Sequence, residues 1–268
     1  MTRFLYDGSF AGFLCAASRA LAESGEVARR GGSPPDLFST AVHVVTDDFR
    51  ARDLERRIVA AAGAEEERAL LMVHSADDLE VPDLLLRYVA RTLGAGASVA
   101  GNLADPVVLR TIRIRDRVGR EINRFLGFVR FRRAATSLYY APIEPDADIV
   151  GFLGPHFSDR FSDQTFLLHD AARDIGFWHD TGAAGWQGLV DLSSMSEGLA
   201  AILARGDGSS DDSPTEELWR AYFKDIAIVE RRNPSLQSKL LPHRYRKHLV
   251  EMETAEDRGQ GAARLTRD

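Results

Sequence analysis

An α+β fold is predicted, with a small antiparallel or mixed sheet packed by helices and a helical C-terminal segment after it. Three observations predict it. Stretches with apolar residues at three- and four-residue steps are interspersed irregularly with short runs of strand character, and glycine and proline separate them. The 268 residues are 44% hydrophobic and 28% charged, which is enough apolar material for a sizeable core in one or two domains.

The chain opens with strand character at Arg3–Tyr6 and a turn at Asp7-Gly8, where Ser9 can cap a helix. Phe10, Phe13, Leu14, Ala17 and Leu21 then recur at helical spacing and form a core face. A Gly/Pro-rich loop at 31–35 precedes a strand over 41–45, and helices are expected over 51–62, 65–73 and 82–93. Residues 94–106 carry Gly94, Gly96, Gly101 and Pro106, which marks a connection and a subdivision of the core. They lack the Lys-Ser/Thr ending and the dinucleotide glycine spacing of phosphate-binding loops.

Residues 106–125 read as a helix, with Val118, Ile122 and Phe125 on one face and Arg110, Arg113, Arg117, Arg120 and Arg124 on another. Gly127 is expected to end it, and Phe128–Arg132 to alternate as a strand answered by an antiparallel return at 138–141. A helix over 148–161 and strands over 165–169 and 175–179 follow. The core extends to residue 205. The polar linker 206–212 leads to Ser213-Pro214-Thr215-Glu216, a capping box opening a helical C-terminal segment over 213–253, with a disordered tail over 254–268. That linker would let the C-terminal helices move independently.

The formal net charge of −6 hides two basic islands. Nine arginines lie between Arg110 and Arg133 against Asp116 and Glu121, and a second concentration between 220 and 248 includes Arg231, Arg232, Arg244 and Lys247. Like charges three or four residues apart on a helix repel by a few tenths of a kcal/mol per pair, so they call for carboxylate neighbours or a polyanion. Arg113, Arg117, Arg120, Arg124, Arg130, Arg160, Arg231, Arg232, Arg244 and Lys247 are the candidate contacts to nucleic acid or to a partner. His156, Arg160 and Gln164 also lie near Phe157 and Phe161, and rings with arginines can stack on unpaired bases and hold phosphates. The same four-residue ring spacing suits a core stripe.

His169-Asp170 and His179-Asp180 pair an imidazole with a carboxylate, as metal and acid–base sites do. Adjacent strand residues face opposite ways, so neither pair can chelate as a unit, and hydrogen bonding at strand ends is the competing role. His156, His169, Asp170 and Arg173 are the catalytic candidates of a DNA-directed hydrolase or lyase. No nucleophile elbow accompanies them. Cys15 is the single cysteine, which rules out an intramolecular disulfide and any multi-thiolate cluster built by this chain. These patterns call for no metal and no cofactor. No stretch has the roughly 18 apolar residues of a membrane helix, and the protein reads as cytoplasmic.

Several strings together resemble a bacterial family of DNA-repair or DNA-metabolism proteins encoded beside a radical-SAM partner. They are Tyr6-Asp7-Gly8-Ser9-Phe10, Gly127-Phe128-Val129-Arg130-Phe131, Tyr139-Tyr140-Ala141-Pro142-Ile143, Pro145-Asp146, His156-Phe157, Arg160-Phe161, His169-Asp170 and Glu230-Arg231-Arg232-Asn233-Pro234. A related domain of unknown function is found fused to uracil-DNA-glycosylase-like domains. The resemblance implies an accessory protein that meets DNA, a radical-SAM protein, or both. Two positions depart from the family pattern: Asn123 stands where a His precedes Arg124, and Arg246 where a Trp follows Tyr245. An amide cannot titrate near neutral pH, so a proton-carrying role at Asn123 is excluded. The single cysteine fits a division of labour in which the partner holds the radical-SAM cluster.

Overall fold

The computed structural model describes residues 2–32, 40–135, 138–182, 187–193, Tyr245, His248 and Leu249. They form an α+β protein of two compact units, drawn from Met1–Glu121 with Asp146–Asp148, and from Ile122–Pro145 with Ile149–Asp268. Among the described residues no helix is long and apolar enough to cross a membrane.

The first unit is built on β1 (Thr2–Tyr6), β2 (Glu26–Arg29) and β3 (Thr40–His43), with β1 central and both neighbours parallel to it. Between β1 and β2 runs α1 (Phe10–Glu23), started where Ser9 Oγ accepts the Gly12 N–H at 2.9 Å. As the spacing predicts, Phe13, Leu14 and Ala17 are buried, and Cys15 is buried with them. Three further helices follow, α2 (Asp48–Ala62), α3 (Ala64–His74) and α4 (Val81–Ala95), and then α5 (Pro106–Phe128), whose residues up to Glu121 belong to this unit and whose last turns belong to the second. Asp47 caps α2 through the Arg50 N–H. Gly63, at φ 89°, makes the abrupt joint to α3, a backbone region in which a side chain is strained. The 94–106 stretch links α4 to α5.

Glu66 and His74 are among the polar groups buried in this unit. Glu66 accepts hydrogen bonds from the Tyr88 and Ser98 hydroxyls, and burial together with the Glu66 carboxylate pushes the Tyr88 phenol up. His74 ends α3 among the rings of Tyr6, Phe10 and Phe13. Arg29 donates to the Tyr6 hydroxyl oxygen at 3.3 Å and to the His74 carbonyl at 2.6 Å. The Tyr6 hydroxyl also lies 3.1 Å from His74 Nε2, and it donates there when the imidazole carries its proton on Nδ1.

The second unit carries a mixed five-stranded sheet in the order β4-β5-β6-β7-β8. Its strands are β4 (Arg132–Ala135), β5 (Leu138–Ile143), β6 (Phe166–Asp170), β7 (Ile175–His179) and β8 (Gln187–Asp191). β5 returns antiparallel to β4, as expected, and pairs parallel with β6 across the crossover helix α6 (Val150–Arg160). The other pairings are antiparallel.

The expected strand over 128–132 is corrected. α5 continues through Gly127 to Phe128, and the Val129 N–H still bonds the Phe125 carbonyl at 3.1 Å. Arg130 then turns its guanidinium back onto the Gly127 and Val129 carbonyls, at 2.7 and 3.2 Å, supplying hydrogen-bond donors to carbonyls at the helix end. The strand starts only at Arg132. β2 and β8 are additional to the expected strands. The linker 206–212, the Ser213 cap and all of 213–253 except Tyr245, His248 and Leu249 lie outside the described residues, as does the 254–268 tail. Tyr245 packs edge-on against Phe125 at 5.1 Å and Leu249 is buried.

Burial first and the Arg29 charge second push the His74 imidazole down to about 3, with Asp7 opposing. An unfolded chain takes up this proton near 6.5, whereas the folded one refuses it until about 3. The contribution is therefore fully present above pH 6.5 and is lost as pH falls, at up to about 1.4 kcal/mol per pH unit. Urea unfolding between pH 7.5 and 4.5 should show a stability–pH slope that flattens by up to this amount in His74→Gln. Parallel curves for the two proteins would show that His74 is not held neutral.

Candidate functional site

Helix α5 is two-sided. Val108, Thr111, Ile114, Val118 and Phe125 are buried, which fixes its rotation and turns Arg110, Arg113, Arg117 and Arg120 to solvent, with Arg124 half-buried. Arg110 finds carboxylates in Glu80 and Asp78, at 2.6 and 3.7 Å, and Arg115 binds Asp116 at 2.8 Å. Among the described residues no carboxylate pairs with Arg113, Arg117, Arg120 or Arg124. At 1.5 Å of rise per residue these four cover about 16 Å of helix.

Glu121, inside the Glu-Ile-Asn-Arg string, is buried and points away from this stripe. Its two carboxylate oxygens accept the Asp146 and Ala147 N–H groups at 2.7 and 3.1 Å. The string thus joins a loop anchor, Glu121, to an exposed Asn123 and to Arg124.

In the second unit an open cavity of about 490 Å³ lies at the C-terminal end of α5, against β5, β6 and α6. Phe157 on α6 and Phe161 at its C-cap stand parallel, with ring centres 6.2 Å apart and 6° between planes. Phe131 meets Phe157, Phe161 and Phe166 edge-on at 5.3, 5.4 and 5.0 Å. Tyr139 adds a fifth ring. It lies beside Phe166 in register, while Tyr140 faces the other side of the sheet. The charged and amide-bearing side chains of the lining are Arg130, Arg160 and Gln164, and among the described residues no carboxylate lines it. The Arg160 guanidinium sits 5.8 Å from the Phe161 ring centre. Behind the lining, His179 stacks on Phe166 at 5.1 Å.

α6 can lie close to the sheet because Gly154 sits where a Cβ would enter the Phe177 ring. Phe177 pairs with Leu168, so α6 covers the face that carries Phe166, Leu168 and Asp170. His169 points to the opposite face. There its Nδ1 meets the Tyr140 hydroxyl at 2.8 Å and its Nε2 lies 3.6 Å from Asp174. Burial pushes the His169 imidazole down, and the carboxylates of Asp174 and Asp170 oppose this. Asp170 is fully buried and accepts from the Ala172 N–H at 3.0 Å and from Arg173 at 2.8 Å, while Arg173 also donates to the Pro145 carbonyl. His156 is exposed on α6 beside Phe157.

The structure therefore separates His156 and His169 by the thickness of the sheet, and joins Asp170 with Arg173 as a turn closure. It brings Arg130, Arg160, Phe157, Phe161 and Gln164 to one cavity. Sequence reading missed Phe131, Tyr139 and Phe166 as lining residues. The alternation of Tyr139 and Tyr140 was their one local signal. Arg231, Arg232, Arg244 and Lys247 lie outside the described residues, and the described residues contain no group of three or more His, Cys, Asp or Glu able to hold a metal ion.

A family model matches residues 80–251, a range that takes in α4, α5 and the whole five-stranded sheet. The chain belongs to the DUF4130 family, a domain of unknown function. The parallel sheet and α1 to α3 precede the matched region, and so does the Tyr6–Phe10 string. No curated protein and no solved structure matches the chain.

Gly154→Ala should lower the thermal midpoint and cost about 1–3 kcal/mol, because the added methyl overpacks against Phe177 despite the higher helix propensity of alanine. Equal or greater stability of the variant would show that α6 can move off the sheet at no cost.

Proposed function

We propose that this protein binds DNA as an accessory in DNA repair or modification, beside a radical-SAM partner that carries the chemistry. The observation that supports this reading is the α5 stripe: four guanidinium groups in one row, exposed or half-exposed, with no carboxylate partner among the described residues. Arg110, on the same side of the helix, is neutralised by Glu80 and Asp78. The contrast matters, because a stripe meant only for solubility needs no segregation from its counter-charges, whereas one that meets phosphates does. About 16 Å of helix spans some four to five steps of a DNA strand at about 3.4 Å each. Arg231, Arg232, Arg244 and Lys247 would add to the same basic surface or contact the partner. The DNA setting and the radical-SAM partner come from the family resemblance, and the cytoplasm is the compartment where both would be met.

Replacing Arg113, Arg117, Arg120 and Arg124 with Gln should flatten the dependence of log affinity on log salt by up to about 0.9 for each duplex phosphate that the variant no longer neutralises. A folded variant with an unchanged slope would remove α5 from the binding surface.

The partnership is tested separately. The purified chain should show no iron–sulfur absorption and no cleavage of S-adenosylmethionine, and co-expression with the adjacently encoded radical-SAM protein should yield a complex. Turnover by the isolated chain would place the chemistry here instead.

A further inference from the structure

We infer that the ring-lined cavity of the second unit takes one unpaired nucleotide, its base against the rings and its phosphate on Arg160; this deepens the DNA-binding reading above and rests on it. The cavity is within the range of small-ligand sites, about 300–1,000 Å³, and opens to solvent. Its lining answers two questions about the occupant. Five aromatic rings favour something flat and aromatic, because stacking and edge-to-face contacts reward planar partners. The Arg160 guanidinium, which pairs with no carboxylate among the described residues, favours something anionic. A nucleotide is both.

The two arginines divide the work. Arg130 is committed to the Gly127 and Val129 carbonyls and contributes field and shape. Arg160 is exposed at the end of α6 and can swing onto a phosphate while its stem stays over Phe161. Gln164 supplies an amide, a donor and an acceptor together, suited to the polar edge of a base. Phe131, Tyr139 and Phe161 are each only partly buried, so the rings keep open surface toward the cavity. A base still paired within a duplex cannot present its face to them, and the nucleotide must be bulged, flipped or single-stranded.

The full chain is titrated with a DNA duplex carrying one bulged adenosine, with the same duplex fully paired, and with the RNA counterpart of the bulged duplex. The wild type should prefer the bulged DNA about tenfold, a typical size for one stacked base. Phe161→Leu and Gln164→Ala should each reduce that preference while leaving the affinity and salt slope for paired DNA unchanged. Arg160→Gln should weaken bulged DNA selectively and lower its salt slope by about the increment of one phosphate. Gln164→Ala replaces a half-exposed side chain, so it reports on the cavity even if the ring variant misfolds. No wild-type preference, a preference that survives in folded Gln164→Ala and Arg160→Gln, or one seen only with RNA overturns the inference. Salt-dependent binding to paired DNA would in those cases leave the α5 reading standing. Failure to bind any of the DNA duplexes overturns both.

Discussion

The rotation of α5 about its own axis is the constraint on which the rest depends. Val108, Ile114, Val118 and Phe125 recur at the spacing that brings one side of a helix inward, and burying a large aliphatic or aromatic side chain contributes roughly 1.5–3 kcal/mol. Turning the helix by a third of a revolution would forfeit several such terms and bury guanidinium groups without partners. The arginines face outward because the apolar side cannot. The hydrophobic pattern thus positions the charges, and the carbonyls at the end of this helix give Arg130 its place at the cavity.

Local pattern made most of the helices and several strands legible. The Ser9 cap, the Phe10 face, the starts of α3 and α4 and the span of β7 all follow from residues within one or two turns of each other, whereas α2 begins three residues before the expected 51, at its Asp47 cap. The Phe128–Arg132 strand failed because Phe125, Phe128 and Val129 also fit helical steps, and Gly127 has open space around it and does not stop the helix. β2 is four residues with a charged residue at each end, and its identity comes from pairing with β1 and from the Arg3–Glu26 ion pair at 3.2 Å. β8, with Gly188 inside it, is likewise defined by its partner β7. Neither has enough side-chain signal of its own.

The site was legible in half. Phe157, Arg160, Phe161 and Gln164 sit on or just after one helix, and their spacing alone groups them. Phe131, Tyr139 and Phe166 join them only through the β5–β6 register and the end of α5, which are long-range contacts that no window of the sequence contains. The opposite error concerned His169 and Asp170, adjacent in sequence yet on opposite faces of β6. Asp170 is occupied with Arg173 and the turn backbone, and His169 with Tyr140. Chemical suggestiveness along a strand is a poor guide unless the faces are assigned first.

Glu121 has a consequence for dissecting the protein. Its buried carboxylate is satisfied by the backbone of Asp146 and Ala147, residues that belong to the first unit although the chain before and after them belongs to the second. Expressing the first unit as a fragment ending at residue 121 would remove the two backbone N–H donors that this carboxylate accepts from and the loop that covers it. The boundary between the units is crossed by the chain three times. The last piece of the first unit is therefore delivered after β4 and β5 have been synthesised, so a ribosome cannot release the two units as a simple tandem. A single cut between them yields one fragment missing its closing loop and another carrying that loop as an unpaired flap.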